Sequence, residues 1–310
     1  MRTIAGKEHK YERFLEYGDI KIIDCQTCGF KHIYPIPSAL ELERFYREKY
    51  YKEIKPFPYA QVTEEYIKKR IEQTNRNCSY NEIFKQVKNL NKAKVQRMVD
   101  VGCGNNLLVR FFQDRNWEVF ALEPSQDAAA FLRLFDIQVF DSPVEQIEST
   151  NIGKISFINL QFVLEHIVDP PLILEKLFGL LVPGGIIRIS VPNDFSEGQM
   201  AYVENYCEEF HWVCLPDHIN YFTFDSLHNL LEKIGFQEVY RTTNFPLEFL
   251  LASGINYYAS GEEKQKVGPI IRNFESSFKN TGREEFLKKY YEELAQMGCG
   301  RSIYMYAIKK

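Results

Sequence analysis

The run Met98-Val99-Asp100-Val101 delivers the chain into Gly102-Cys103-Gly104-Asn105-Asn106, and a helical pattern begins straight after it. Gly102 and Gly104 let a ligand approach the backbone closely, and the helix start offers N–H groups to it. About 20 residues on, a second run ends in Leu122-Glu123-Pro124-Ser125, and an acid at that strand end can accept both hydroxyls of a ribose. A third run closes at Asp141-Ser142, where an adenine edge could be read. Alone, the glycine turn is also compatible with plain helix-on-strand packing; the acid in register with it favours a nucleoside-bearing ligand. A nicotinamide fingerprint needs a third glycine at the helix contact, and this loop ends in Asn105-Asn106.

A second constellation is Asp24-Cys25-Gln26-Thr27-Cys28-Gly29-Phe30. Two thiolates at that spacing can share one face of a tetrahedral ion, and a closed site needs two more ligands. His9 and His32 are the nearby imidazoles. One zinc held by Cys25, Cys28, His9 and His32 therefore stands beside a metal-free turn as the two readings. Cys78, Cys103, Cys207, Cys214 and Cys299 read as small packing residues. Farther along, Glu209-Phe210-His211-Trp212 and Asp217-His218-Ile219-Asn220-Tyr221 gather imidazoles, acids and rings in one segment. His218 suits proton transfer near neutral pH, or else holds its loop by hydrogen bonds. His211 and Trp212 contact an acceptor or pack within the loop. His166 follows a strand directly and reads first as structural. Arg272 and Arg301 meet an anionic acceptor or form ion pairs.

These residues need elements to position them. From Val95, short apolar runs alternate with helical periods, the pattern of βαβ units and a parallel sheet. The expected strands are Arg97–Val101, Glu118–Glu123, Gln138–Phe140, Ile155–Gln161 and Ile186–Val191, with helices near Leu107–Asp114, Gln126–Phe135 and Pro171–Leu181. Asp225 suits an N-cap for a helix Ser226–Ile234 ending at Gly235, before strands Phe236–Arg241 and Ser302–Ile308. The expected organisation is a loop-rich, cysteine-containing segment 1–60, a helical linker 61–94, and a main domain 95–310 interrupted by insertions 194–224 and 245–297. Within the first segment, Ser38 caps an expected helix over residues 39–51.

VDVGCGNN, ALEPS, NLQFVLEH followed by IVDP, and LVPGGIIRISVPN, in this order between about Val95 and Val239, resemble a class I S-adenosylmethionine-dependent methyltransferase. The resemblance implies an α/β fold: a doubly wound, seven-stranded Rossmann-like sheet with a small N-terminal knuckle and helical insertions. It implies S-adenosylmethionine as cofactor, with Gly102 and Gly104 at the methionine part, Glu123 at the ribose, and Asp141 and Ser142 at the adenine. Gln161, Phe162, Glu165 and His166 would flank the sulfonium, and Asp100, Asn105 and Pro124 complete the implied set. The chain departs from the family at Asn106, where a third glycine is usual, and at Ser156, where an acid often opens strand four. CGFKHIYPIP resembles the N-terminal zinc-binding part of sugar methyltransferases, without their earlier CxxC pair. Asp217-His218 before Tyr221-Phe222-Thr223 is similar to a Glu-His acid/base pair of some sugar C-methyltransferases. The implied catalytic residues are thus His218, Asp217 in support, and His211.

Composition bounds the function. The 310 residues carry 38 basic and 42 acidic side chains, and a formal charge of −4 opposes a dominant nucleic-acid footprint. The N-terminal MRTIAGKEHKYERF lacks an apolar run, and no stretch of about 18 uncharged apolar residues follows. With seven irregularly spaced cysteines, the chain reads as cytoplasmic with reduced thiols. Nothing in it sets the oligomeric state. The leading expectation is methyl transfer to a small-molecule acceptor, a carbohydrate or nucleotide-linked sugar. Aromatic residues at 15% suggest an alternative, O-methylation of a lipid or quinone-like acceptor. A non-catalytic, methyltransferase-like binding protein is the reading from another class.

Overall fold

Runs such as Met98–Val101 and Ile155–Leu160 are buried on both faces, as strands covered by helices on each side must be. In the computed structural model, which describes residues 8–38, 41–42, 62–146, 152–206 and 209–310, they lie at the centre of a seven-stranded sheet. Its strands are β4 (Arg97–Val101), β5 (Glu118–Leu122), β6 (Gln138–Phe140), β7 (Ile155–Gln161), β8 (Leu181–Pro192), β10 (Phe236–Thr242) and β11 (Ser302–Lys309). The order is β10-β11-β8-β7-β4-β5-β6, with β11 antiparallel to both neighbours and the other pairings parallel. The chain runs outward from β4 through β5 to β6, then returns to place β7 on β4's other side. That reversal opens a crevice beyond the C-terminal ends of β4 and β7, the place where open α/β sheets bind ligands.

Helices α3 (Leu108–Gln113), α4 (Gln126–Arg133), α5 (Pro170–Leu180) and α7 (Phe224–Ile234) belong to this core. Two details differ from the expectation. Helix α7 is capped by Thr223, not Asp225: the Thr223 hydroxyl accepts the Ser226 N–H at 3.2 Å, and the Ser226 hydroxyl accepts the Thr223 N–H at 2.9 Å. Asp225 sits instead in the first turn, where the helix dipole favours an acid. Strand β8 begins at Leu181, five residues before the expected Ile186, because the Val-Pro-Gly-Gly stretch is already extended.

Ahead of the sheet, the helical stretch divides into α1 (Glu64–Asn75) and α2 (Cys78–Leu90), since the Asn77 side chain caps the second by accepting the Tyr80 N–H at 3.0 Å. Ile83 and Val87 of α2 join Phe111, Phe112, Trp117 and Phe157 on one side of the sheet, where Phe112 stacks on Phe157 at 5.3 Å. The helix expected over 39–51 falls outside the described residues apart from Glu41–Leu42. Its start is capped as expected, with the Ser38 hydroxyl accepting the Glu41 N–H at 3.3 Å and the Glu41 carboxylate accepting the Ser38 N–H at 2.7 Å.

The segment read as loop-rich is instead a small antiparallel sheet. β1 (Tyr11–Tyr17), β2 (Ile20–Cys25) and β3 (Phe30–Tyr34) form a meander, and its fourth strand is β9 (Asn220–Tyr221), from the insertion after β8. The partner is only two residues long and nearly 190 positions away, so local pattern could not reveal it. Ile22 and Ile33 pack with Phe195, Trp212, Ile219 and Tyr221 of that insertion, which absorbs several rings of the aromatic-rich composition. On the other side, Ile23, Cys25, Cys28 and Phe30 pack into the main core. Of the cysteines read as packing residues, Cys103 is buried, Cys78 and Cys214 are exposed, Cys299 is intermediate, and Cys207 lies outside the described residues.

The entry to β11 tolerates little change. Gly300 has φ +102°, and a Cβ there would stand 1.9 Å from the Thr243 hydroxyl oxygen. That hydroxyl is itself tied to the Ser302 carbonyl at 2.7 Å and cannot swing away freely. Gly300→Ala should destabilise the protein by about 2–4 kcal/mol in urea denaturation. Gly254→Ala, at φ +83° with open space around it, should lose only about 1–2 kcal/mol. Equal losses would contradict the packing argument.

Candidate active site

After β4 the chain turns through Gly102 at φ +64° and Gly104 at φ +55°. A Cβ on Gly102 would lie 2.6 Å from Val163, so the glycine is needed for packing against the turn after β7. A Cβ on Gly104 meets nothing within 4 Å, so this side of the loop is open. Glu123, 2% exposed, fixes the loop: its carboxylate accepts the Gly104 N–H at 2.7 Å and the Ser125 N–H at 2.9 Å. Asn105 and Pro124 are exposed beside this clamp. Asn106, at the position of a third glycine, does not take the left-handed backbone that glycine would permit. Its side chain instead accepts the Leu108 N–H at 2.9 Å and the Tyr80 hydroxyl. Asp141 pairs with Arg133 at 3.1 Å at the surface, and Ser142 is half-buried next to it.

Beneath the loop runs a polar rung that the sequence reading missed, except for Asp100 and Gln161. Asp100, Asn159 and Arg188 are register partners across β4, β7 and β8. Asn159 donates to Asp100 at 2.6 Å, and Arg188 donates to Asn159 at 2.7 Å and to Gln161 at 3.2 Å. Their signal was present: Asn159 and Arg188 are polar residues inside otherwise apolar runs. Burial pushes the Asp100 carboxyl up to about 7, against the opposing pull of the Asn159 hydrogen bond and the Arg188 charge.

The turn after β7 carries Phe162 at φ +56° and 40% exposed, a strained conformation for an aromatic residue at the rim of the crevice. Leu164–His166 then form a short 3₁₀ turn. The segment leading into β9 is fastened over it: Ile219 N–H donates to the Glu165 carbonyl at 2.8 Å, and the Asn220 side chain donates to the Leu164 and Ile167 carbonyls. This brings His166, Asp217 and His218 together. His166 Nδ1 lies 2.8 Å from the Asp217 carbonyl and 3.1 Å from its carboxylate, and the two imidazole rings are 5.0 Å apart. Asp217, read as a support for His218, holds His166. Burial alone would lower the His166 pKa; the Asp217 hydrogen bond and the Glu165 and Asp217 charges reverse this and raise it. Glu165 is buried, which pushes its carboxyl up to about 7.

His211 stands apart from that group, with its ring against Tyr258 at 3.4 Å and near Trp212 at 4.8 Å. Burial, then the Arg301 charge, push it down to about 4, so it is neutral and only weakly basic at neutral pH. Trp212 is 2% exposed and packs. Arg301 is held by the buried Asp194 at 2.8 Å, the ion-pair reading, while Arg272 is exposed.

In the N-terminal sheet, Cys25, Cys28, His9 and His32 converge with one donor atom each, all within 4.8 Å of one another. His9 Nδ1 lies 3.4 Å from the Cys25 sulfur and 3.6 Å from that of Cys28. Zinc bonds of standard length would put N and S about 3.6 Å apart at the corners of a tetrahedron. His32 Nδ1 is bonded to the Ile33 carbonyl at 2.8 Å, and its buried Nε2 has no hydrogen-bond partner among the described residues. A ring oriented through one nitrogen, with the other facing two thiols, is the arrangement of a metal-ligating histidine. The Cys28 hydrogen bond, opposed by burial and then assisted by His32 and His9, lowers the Cys25 pKa strongly and favours the thiolate that binds metal.

Residues 70–240, more than half of the chain, match the methyltransferase-domain family, and the chain belongs to it. Among named relatives, it is 29% identical to a ubiquinone biosynthesis O-methyltransferase of Psychrobacter cryohalolentis over 106 residues, 32% of this chain and 41% of that one. A protein of the same name from Acinetobacter baumannii is 26% identical over 105 residues, 32% of this chain and 44% of that one. The chain therefore matches about two-fifths of the length of these curated relatives. Of solved structures, the magnesium protoporphyrin IX methyltransferase of Synechocystis with bound S-adenosylhomocysteine aligns with a TM-score of 0.49 at 10% identity, over 87% of this chain and 99% of that one. A methyltransferase of Archaeoglobus fulgidus aligns at 0.47 and 16% identity, over 74% and 93%. Among the described residues, no helix is long and apolar enough to cross a membrane.

The polar rung yields a pH signature. A carboxyl whose folded pKa is raised from 3.8 to about 7 binds more protons folded than unfolded between those values, so its contribution to stability falls as pH rises through that window and levels off above it. The total loss is on the order of 4 kcal/mol. Asp100→Asn should flatten the decline in unfolding free energy between pH 4 and pH 7; an unchanged slope would contradict the assignment.

Proposed function

We propose that this chain transfers the methyl group of S-adenosylmethionine to a hydroxyl of a small molecule held over the C-terminal ends of β4 and β7. The observation that carries the reading is the Glu123–Gly104 clamp: a buried acid at the end of β5, bonded to a glycine loop whose outer side is open. In this reading the methionine part lies along Gly102, Gly104 and Asn105, and the ribose hydroxyls meet Glu123 beside Pro124. The adenine lies toward Asp141 and Ser142, and the sulfonium near Gln161 and Phe162. The open face at Gly104 speaks against a binding-only protein with a blocked cleft.

The acceptor oxygen must lose its proton, use a lone pair to bond the methyl carbon, and leave the C–S electron pair on sulfur, which becomes a neutral thioether. The protein contributes mainly by aligning the two partners. The proton is lost at the end of the crevice lined by Glu165, His166 and His218, with Asp217 orienting His166; His211 contributes contact rather than proton transfer. A carbohydrate acceptor fits this reading. Of the two arginines nominated for the phosphates of a nucleotide-linked sugar, Arg301 is committed to Asp194 and Arg272 is exposed. A quinone-type acceptor is the second reading, favoured by the names of the relatives. Mass spectrometry after incubation with methyl-labelled cofactor and panels of sugars, nucleotide-sugars and dihydroxyaromatics separates the three.

We also propose that Cys25, Cys28, His9 and His32 hold one structural zinc. Protein purified without chelator should contain zinc by elemental analysis, and a Cys25→Ser, Cys28→Ser double variant should lose one equivalent of it. An unchanged zinc content in that variant would assign the ligands elsewhere.

For the cofactor, Glu123→Ala should weaken S-adenosylhomocysteine binding by about 1.5–3 kcal/mol, the worth of hydrogen bonds to a charged group. Calorimetry measures this directly. Absence of binding to the wild type at millimolar ligand would overturn the reading.

A further inference from the structure

We propose that Glu165, His166 and His218 form a second metal site, specific for a divalent first-row transition ion and placed at the acceptor end of the crevice. One donor atom from each of the three residues lies within 4.8 Å of the others. Two features point to an ion rather than to a hydrogen-bonded cluster. The Glu165 side chain is 2% exposed, and its Oε2 has no hydrogen-bond partner among the described residues. A buried carboxylate oxygen without a donor is costly unless something positive meets it. In addition, Glu165 Oε1 and His166 Nε2 are 3.9 Å apart, too far for a hydrogen bond. Ligand bonds of about 2.0–2.2 Å would set such atoms about 3.4 Å apart around a tetrahedral ion, within reach of a small side-chain rotation.

The surroundings fit the same assignment. His166 is oriented through Nδ1 by the Asp217 carbonyl and carboxylate, which directs Nε2 toward Glu165. A carboxylate or carbonyl on the outer nitrogen is the usual support of a ligating histidine. The Ile219 backbone bond and the Asn220 side-chain bonds to the 164–167 turn hold His218 over the same spot, so the ligands come from two elements that the fold locks together. Two imidazoles and one carboxylate suit Zn²⁺, Fe²⁺, Mn²⁺ or Co²⁺ and leave coordination positions open.

The role of the ion rests on the methyl-transfer reading. Bound in an open position, an acceptor hydroxyl would become more acidic and be held in place. Vicinal hydroxyls, whether on a sugar or on an aromatic ring, could bind through both oxygens. His218 then serves as a ligand, and the proton leaves to solvent.

Cobalt titration of the full-length, metal-stripped protein tests the site without cofactor or acceptor, so its failure is distinct from a failure of methyl transfer. Two equivalents of Co²⁺ should bind. One should show the near-ultraviolet charge-transfer band of thiolate ligation, and the other only weak visible bands. Glu165→Gln, which preserves volume, and His218→Ala, at a half-buried position, should each weaken the second equivalent at least tenfold while leaving the thiolate band intact. That retained band also reports that the variants are folded. A single equivalent in the wild type, or a second equivalent unchanged in both variants, would overturn the proposal.

Discussion

One buried carboxylate organises the ligand-facing end of this protein. Glu123 is nearly inaccessible, and a carboxylate so placed must be met by donors. Its donors are backbone N–H groups from the loop after β4 and from the turn after β5. The bonds that make its burial tolerable therefore also set the path of the glycine loop. The open face of Gly104 follows from that path, and Gly102 can turn under it because no side chain there competes with Val163. Below, the Asp100-Asn159-Arg188 rung joins β4, β7 and β8 near the level where the turns after β4 and β7 leave the sheet.

The acceptor side depends on a different constraint, the pairing of β3 with β9. Two residues of pairing tie the N-terminal sheet to the segment after β8, and Asn220 in that short strand also anchors the 164–167 turn. His32, a candidate zinc ligand, is the register partner of Asn220. A metal in the N-terminal sheet would therefore stiffen the short strand that follows His218.

Much of the core was legible because its signals are local. Apolar runs bounded by glycine or acid marked the strands, and the chemistry of Gly102, Gly104 and Glu123 could be stated from residue type and order. What stayed hidden was set by distant partners. β9 is too short to carry a pattern and exists only because β3 offers it an edge. The Thr223 cap was misplaced by two residues because Thr and Asp are both good caps, and only the reciprocal bond to Ser226 decides between them. Asp217 was linked in sequence to His218, whereas the fold also sets it on His166, a neighbour in space that no spacing rule connects. Asn159 and Arg188 belong to no motif, and only the rule that a polar residue in a fully buried run requires a partner points to them.

The central claim is that the loop after β4 and the turn after β5 form one preorganised cofactor site. Hydrogen–deuterium exchange of the wild-type protein with and without S-adenosylhomocysteine tests it most directly. The account predicts slower exchange confined to the amides of Gly102–Asn106, Glu123–Gln126 and the turn at Phe162, with β1–β3 unchanged. Protection concentrated elsewhere, or none at saturating ligand, would contradict it.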